Sequence, residues 1–316
     1  MRKLKFDLVT LPSAELTPNA DSFYAQAYLG SSEITDNFRT LPGVKYAMKI
    51  GAVTFGDILQ TALCGWNAPT DNLSSKEVTV CSLSAMAQIC QFDLEQSFVA
   101  LQMAQGSNGD FTVASFMQFY WSEMANSING SIETLRWQGD TGSATPALAL
   151  CDGYEVLLGQ GLTPPVTVPP TPPVISGGTG AITTFATLLT KLNAAFALVP
   201  ASIASRTADL RFYMPTQLVN LYRLGVAQGN TNAFITQDLS LTYLGIKIVL
   251  CPGMSNDTFV MTLKDNLIFA FDGEGDPSDL RAVNLADTVA EPIIRTRANM
   301  KVGFSYVNPG EIVYYS

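Results

Sequence analysis

Phe111-Thr-Val-Ala-Ser-Phe-Met-Gln-Phe-Tyr-Trp-Ser-Glu-Met-Ala-Asn-Ser-Ile-Asn-Gly-Ser-Ile-Glu-Thr-Leu-Arg-Trp-Gln138 is the stretch on which the reading of this chain turns. Val113, Phe116, Met117, Tyr120, Met124, Ile128, Ile132 and Leu135 recur at three- and four-residue steps, the spacing of one helical face. Ser115, Gln118, Ser122, Asn126, Asn129 and Glu133 take the other side. Asp110 supplies an N-cap, and Gly139 is expected to close the helix as a left-handed cap. About 28 residues at about 1.5 Å each make it roughly 40 Å long. A helix of that length serves as a backbone for a domain, and Gly130 is the one weak point inside it.

Upstream, residues 82–104 read as a second helix through Leu83, Met86, Ile89, Phe92, Leu94, Phe98, Leu101 and Met103. Before it, Val44 to Val80 reads as a long two-stranded excursion. Lys45 to Phe55 and Glu77 to Cys81 have strand character, and Cys64-Gly-Trp-Asn-Ala-Pro-Thr-Asp-Asn72 forms turns between them. A bare hairpin of that size is marginal in water and needs a partner surface. Residues 1–42 read as an arm laid on something else, with a short helix near Ser22 to Leu29. Downstream, Gly161 to Gly180 carries six of the 17 prolines and reads as a stiff exposed loop with a flexible end. Helices over 182–198 and 216–228 then alternate with strands at 209–214, 240–243, 246–251, 259–263 and 266–271. Strands at 294–306 and 311–315 close the chain. The layout is α+β and interleaved.

The 316 residues are 47% hydrophobic and only 14% charged, against about 25% charged in an ordinary soluble domain. Disorder throughout is excluded, and the apolar runs are too short to span a membrane. Low charge suits a chain that covers its surface with other chains. With no histidine, Ser-His-Asp and Cys-His catalysis and His-ligated zinc are all removed. A net charge of −9 argues against avid nucleic-acid binding by the whole chain. Cys64, Cys81, Cys90, Cys151 and Cys251 are odd in number and scattered, and read as reduced, buried thiols of a cytosolic product. The basic residues of Met1 to Asp7 have no apolar stretch behind them, so no signal peptide is expected. Phosphate-loop, nucleophile-elbow and dinucleotide-binding motifs are missing, and neither a catalytic site, a metal nor a cofactor is expected. Asp272-Gly-Glu-Gly-Asp276 reads as a solvated acidic turn, because Pro277 and Val283 stand where a calcium loop needs Gly and Glu.

Arg295, Arg297 and Lys301 alternate along one strand and share a face. They suit phosphate or the acidic groups of a neighbouring subunit, and the acidic whole favours the second. Lys45 and Lys49 flank the excursion, in a solubilising or a chain-contacting role. Trp66, at its tip, is an interface anchor candidate.

Together these elements resemble the major capsid protein of tailed double-stranded DNA bacteriophages, the Hong Kong 97-like fold. The order of arm, extended loop, long helix, central strand Leu210-Arg-Phe-Tyr-Met-Pro215 and closing strands carries the resemblance, as does the turn Gln138-Gly-Asp-Thr-Gly142 after the helix. The resemblance implies an N-terminal arm at 1–42 and an extended loop at 43–80. It implies a peripheral domain at 81–144 and 280–316, with its spine helix at 111–138, and an axial domain at 145–279. It implies a structural shell protein, assembled in the host bacterial cytoplasm as hexamers and pentamers around double-stranded DNA. A separate scaffolding protein, a portal and decoration proteins are its implied partners, and no membrane is. The family's Lys–Asn crosslink promoted by a glutamate would draw on Lys45 or Lys49, Asn308 and Glu311. Two other readings stand beside it: an encapsulin-like nanocompartment, which shares the fold, and a carboxylate-dependent hydrolase.

Overall fold

The structure is a computed structural model that describes residues 20–30, 36–54, 72–90, 113–163, 173–229, 241–272, 280–285 and 293–316. Among them no helix is long and apolar enough to cross a membrane. The chain divides into two units. One comprises Met1–Gly30, Ser82–Asn129 and Asp272–Lys301, the other Ser31–Cys81, Gly130–Phe271 and Val302–Ser316. The long helix α2 (Val113–Gln138) and the long strand β12 (Ile293–Tyr306) each contribute residues to both.

In the first unit, strands β4 (Cys81–Cys90) and β11 (Leu280–Asn284) both pair with β12. The β11 pairing is antiparallel, with Arg281 opposite Arg297 and Val283 opposite Arg295. Along β12, buried Ile294, Thr296, Ala298 and Met300 alternate with exposed Arg295 and Arg297, as a half-covered strand requires. The buried side meets α2, where the Tyr120 and Thr296 hydroxyls lie 2.9 Å apart. It also meets helix α1 (Ala20–Leu29), whose Tyr24 hydroxyl donates to the Asn299 carbonyl at 2.7 Å. Helices α1 and α2 meet edge to face through Phe23 and Trp121, ring centroids 5.4 Å apart. The arm segment 20–30 thus lies on its own chain. Residues 1–19 and 31–35 of the expected arm fall outside the described residues.

The second unit holds a six-stranded sheet in the order β5 (Ile175–Gly178), β13 (Val313–Tyr315), β9 (Phe259–Leu263), β6 (Leu210–Met214), β8 (Ile246–Leu250), β7 (Thr242–Tyr243). Helix α6 (Thr216–Gly229) carries the chain between the parallel strands β6 and β8, the crossover that parallel pairing demands. Leu218 and Val219 of α6 join Leu188, Leu192 and Ala195 of α4 (Phe185–Ala197) over Phe212, Met214, Phe259 and Met261 of the sheet. Thr184 opens α4 with a reciprocal capping box to Thr187. A second group of strands, β1 (Arg39–Pro42) parallel to β10 (Leu267–Phe271) and β10 antiparallel to residues 302–306, packs its aromatic rings against the end of α2. There Trp137, Tyr154, Phe38 and Tyr213 form a buried cluster, and the Tyr154 hydroxyl donates to the Ile268 carbonyl at 2.6 Å. Arg136 is buried in the same place, ion-paired to Glu133 and lying 4.7 Å from the Phe269 ring centre.

Three expectations change. Residues 81–90 are a strand, not a helix, and residues 91–104 lie outside the described residues. Leu83, Met86 and Ile89 fit a helical face by spacing, but pairing with β12 imposes a period of two and leaves Met86 exposed. Cys81 and Cys151 form a disulfide across 70 residues, because the fold brings their Cα atoms to 5.9 Å. Cys90 and Cys251 are not in a disulfide, and Cys64 is outside the described residues. Gly139 ends α2 without a left-handed backbone. Glycine is required there by close approach instead, since a Cβ would meet the Cys151 carbonyl oxygen at 2.2 Å.

Candidate assembly surfaces

Strands β2 (Ala47–Thr54) and β3 (Asn72–Thr79) pair antiparallel over eight positions, from Ala47↔Thr79 to Thr54↔Asn72, and form a sheet of two strands alone. Among the described residues it is anchored through Ile50, Val78 and Lys76. Ile50 and Val78 pack with Val44, Ile268 and Ala270. Between Val44 and Ile50 the ribbon presents large apolar side chains to solvent, Tyr46 at 81% and Met48 at 45% exposure. Lys45 and Lys49 are both exposed, and Lys49 stands directly across from Glu77, a favourable cross-strand pair. Trp66, the expected anchor at the tip, lies outside the described residues.

Lys76 on the same ribbon is a different kind of lysine. Its ammonium lies 2.8 Å from the centre of the Tyr306 ring, and burial lowers its pKa from 10.5 to about 7. Tyr306 is itself pushed upward by burial. The sequence carries no signal for this site, because Lys76 sits in a polar run, Asn72-Leu-Ser-Ser-Lys-Glu77, that reads as solvated.

On β12, Arg295, Arg297 and Lys301 share one edge-to-edge row, as their spacing predicts. The structure separates their circumstances. Lys301 reaches Asp272 at 3.9 Å. Arg295 donates through Nε to Gln88 Oε1 at 3.1 Å, and Arg297 to Ser84 Oγ at 3.2 Å and Asn299 Oδ1 at 2.9 Å. Arg281 joins them by standing opposite Arg297, a neighbour that only the strand register reveals. Asp272 is described, and the remainder of the acidic turn, residues 273–276, is not.

Polar groups elsewhere in the second unit serve the fold. Glu155 accepts from the Ser255 amide at 2.7 Å and the Ser255 hydroxyl at 2.6 Å. Its carboxyl is raised by burial, an effect these bonds partly offset. Asn308 donates to Glu311 at 3.3 Å, so the two residues named for a crosslink are at least adjacent. Among the described residues no group of three or more metal-ligating side chains gathers.

No protein-family model matches the sequence, and no curated protein matches it by sequence. Solved structures do match it in fold. A chain of the satellite phage P4 procapsid that includes the size determination (Sid) protein aligns at a TM-score of 0.56 and 14% identity, covering 93% of this chain and 96% of that one. A chain of the capsid of the cyanophage P-SCSP1u aligns at 0.53 and 10% identity, over 89% and 86%. A capsid chain of an empty GTA particle aligns at 0.51 and 13% identity, over 90% and 89%. At these identities the likeness is one of fold, and it runs through nearly the whole chain: this is the Hong Kong 97-like fold of phage capsid chains.

Proposed function

We propose that the chain is a non-enzymatic shell subunit, a major capsid protein whose copies assemble as hexamers and pentamers into an icosahedral virion capsid around double-stranded DNA. The observation that carries this reading is the two-stranded ribbon, which leaves Tyr46 and Met48 in solvent in a chain whose fold matches capsid chains. A lone ribbon with large exposed apolar groups is stable when a neighbour covers it, and repeated copies supply that neighbour. In this reading residues 43–80 are the loop that overlaps an adjacent subunit, and Lys45, Lys49 and Trp66 contact it. The arm is residues 1–42, the peripheral domain residues 81–144 and 280–316, and the axial domain residues 145–279. Assembly takes place in the host cytoplasm with a separate scaffolding protein, a portal and decoration proteins. The net charge of −9 fits a container that does not grip its contents over its whole surface.

Negative-stain electron microscopy with size-exclusion chromatography of the purified chain tests this. Polyhedral shells, or rings of five or six copies, are the expected result. Nuclease-resistant nucleic acid inside the shells separates a capsid from a nanocompartment. A chain that stays monomeric with and without a scaffold overturns the reading.

A further inference from the structure

Cys81 and Cys151 join two parts of the second unit that lie far apart in sequence, and their settings differ. Cys151 is buried in the turn after α2, a segment pinned from several sides. There the Asp140 amide donates to the Leu148 carbonyl at 2.9 Å, and the Gly153 amide to the Gly139 carbonyl at 2.8 Å. The Thr141 amide and hydroxyl both donate to Asp152 Oδ1 at 2.8 Å. Cys81 is only half-buried and stands at the root of the β2–β3 ribbon, two residues past the end of β3. Its neighbours hold that root without a covalent bond. The Val80 amide donates to the Tyr46 carbonyl at 3.0 Å, and Thr79 lies so close over Gly303 that a Cβ there would collide with the Thr79 carbonyl oxygen. Contacts independent of the sulfurs thus hold both residues, with their Cα atoms 5.9 Å apart, inside the range a disulfide spans. Neither cysteine belongs to the apolar core over the six-stranded sheet, so that core does not rest on the bridge.

A bridge in a chain made in a reducing compartment is conditional, because thiol pairs are kept reduced there. Resting on the cytoplasmic assembly of the shell reading, we infer that Cys81 and Cys151 are a redox lock on the root of the ribbon, a dithiol while copies associate and a disulfide once the particle meets an oxidising medium. The oxidant is a small-molecule disulfide. The half-buried Cys81 thiolate attacks one of its sulfurs and expels a thiolate, and the Cys151 thiolate then attacks the Cys81 sulfur and expels the second. Two protein thiols become one disulfide, two electrons pass to the oxidant, and the two protons leave with the two small thiols. In the dithiol the ribbon adjusts to the neighbour it meets. In the disulfide its root is tied to the pinned turn.

The test traps the thiols of the full chain with N-ethylmaleimide as the cells are lysed, and repeats the trapping after the folded chain has met oxidised glutathione. Mass spectrometry is expected to find Cys81 and Cys151 both alkylated in the first sample and both protected in the second. By hydrogen exchange, the amides of residues 72–80 are expected to exchange on the order of tenfold faster in the dithiol form, with strand β9 unchanged. C81S/C151S is expected to show the faster exchange in either medium, and the wild type with and without reductant carries the test if that variant does not fold. A bridge already complete in the first sample, a pair that oxidised glutathione leaves as thiols, or equal exchange in the two forms overturns the inference. Electron microscopy decides the shell reading separately. Shells built from a chain whose cysteines fail these tests leave that reading standing, and a pair that switches in a chain that never assembles overturns the assembly role along with it.

Discussion

Two parts of the second unit, the six-stranded sheet and the β2–β3 ribbon, solve the same problem in opposite ways. Strand β9 is buried at every position, paired on both edges and covered by α4 and α6, so its stability is internal to the chain. Among the described residues the ribbon has no third strand, and its Tyr46 and Met48 face water. The first region is covered by its own chain. The second is a folded element waiting for cover. The difference teaches where to look for interaction surfaces: not where the chain is most apolar, but where its large apolar groups reach solvent.

The comparison breaks first at the sheet. Phe259 is fully buried, stacked on Tyr315 at 4.9 Å and edge-on to Phe212. Phe259→Ala is expected to lower the free energy of unfolding by about 4 kcal/mol, measured by urea denaturation. A loss under 1 kcal/mol would mean the sheet is not the stable pole of the contrast. Next is the staple that joins the ribbon's base, at Cys81, to the turn after α2, at Cys151. Cys81→Ser, or reduction of the wild type, is expected to cost about 3 kcal/mol through the freedom regained by the unfolded chain. An unchanged denaturation midpoint on reduction would show that the bridge contributes nothing.

Lys76 sharpens the contrast through pH. Its folded pKa, about 7, lies below its ordinary 10.5, so the unfolded chain binds the extra proton between those values. Stability therefore rises with pH across the window from about 7 to 10.5, and the penalty is fully present below it. Lys76→Met is expected to flatten that slope in urea midpoints measured across the window, and an unchanged slope would place the lysine in solvent. The smallest effect on the isolated chain belongs to the ribbon's exposed residues. Tyr46→Ala with Met48→Ala is expected to change unfolding by less than about 0.5 kcal/mol while reducing particle yield by electron microscopy. A large loss of stability would make the ribbon part of the core and erase the distinction.

Much of the fold is written locally. Helix α2 ends at Gln138 as read, because its face repeats at three- and four-residue steps and tertiary packing reinforces the same face. Strand β9 matches residue for residue, since Phe259-Val-Met-Thr-Leu263 is short, apolar and bounded by polar turns. The candidate surfaces were only half legible. Alternation along β12 places Arg295 and Arg297 on one face, but Arg281 comes from a different strand, and its place opposite Arg297 is a matter of register.

What the sequence determined by itself was the α+β order of elements, the long helix, the absence of histidine chemistry and the unsupported ribbon, all of which follow from periodicity and composition. What only the tertiary structure decided were the strand at 81–90, the Cys81–Cys151 bridge, the crowding that demands Gly139, the burial of Lys76 and the place of Arg281 opposite Arg297. Each of these depends on residues far apart in the chain meeting in space, and local spacing carries no information about such meetings. A Leu-x-x-Met-x-x-Ile run satisfies a helix and a strand equally, and the neighbour that arrives beside it settles which one forms.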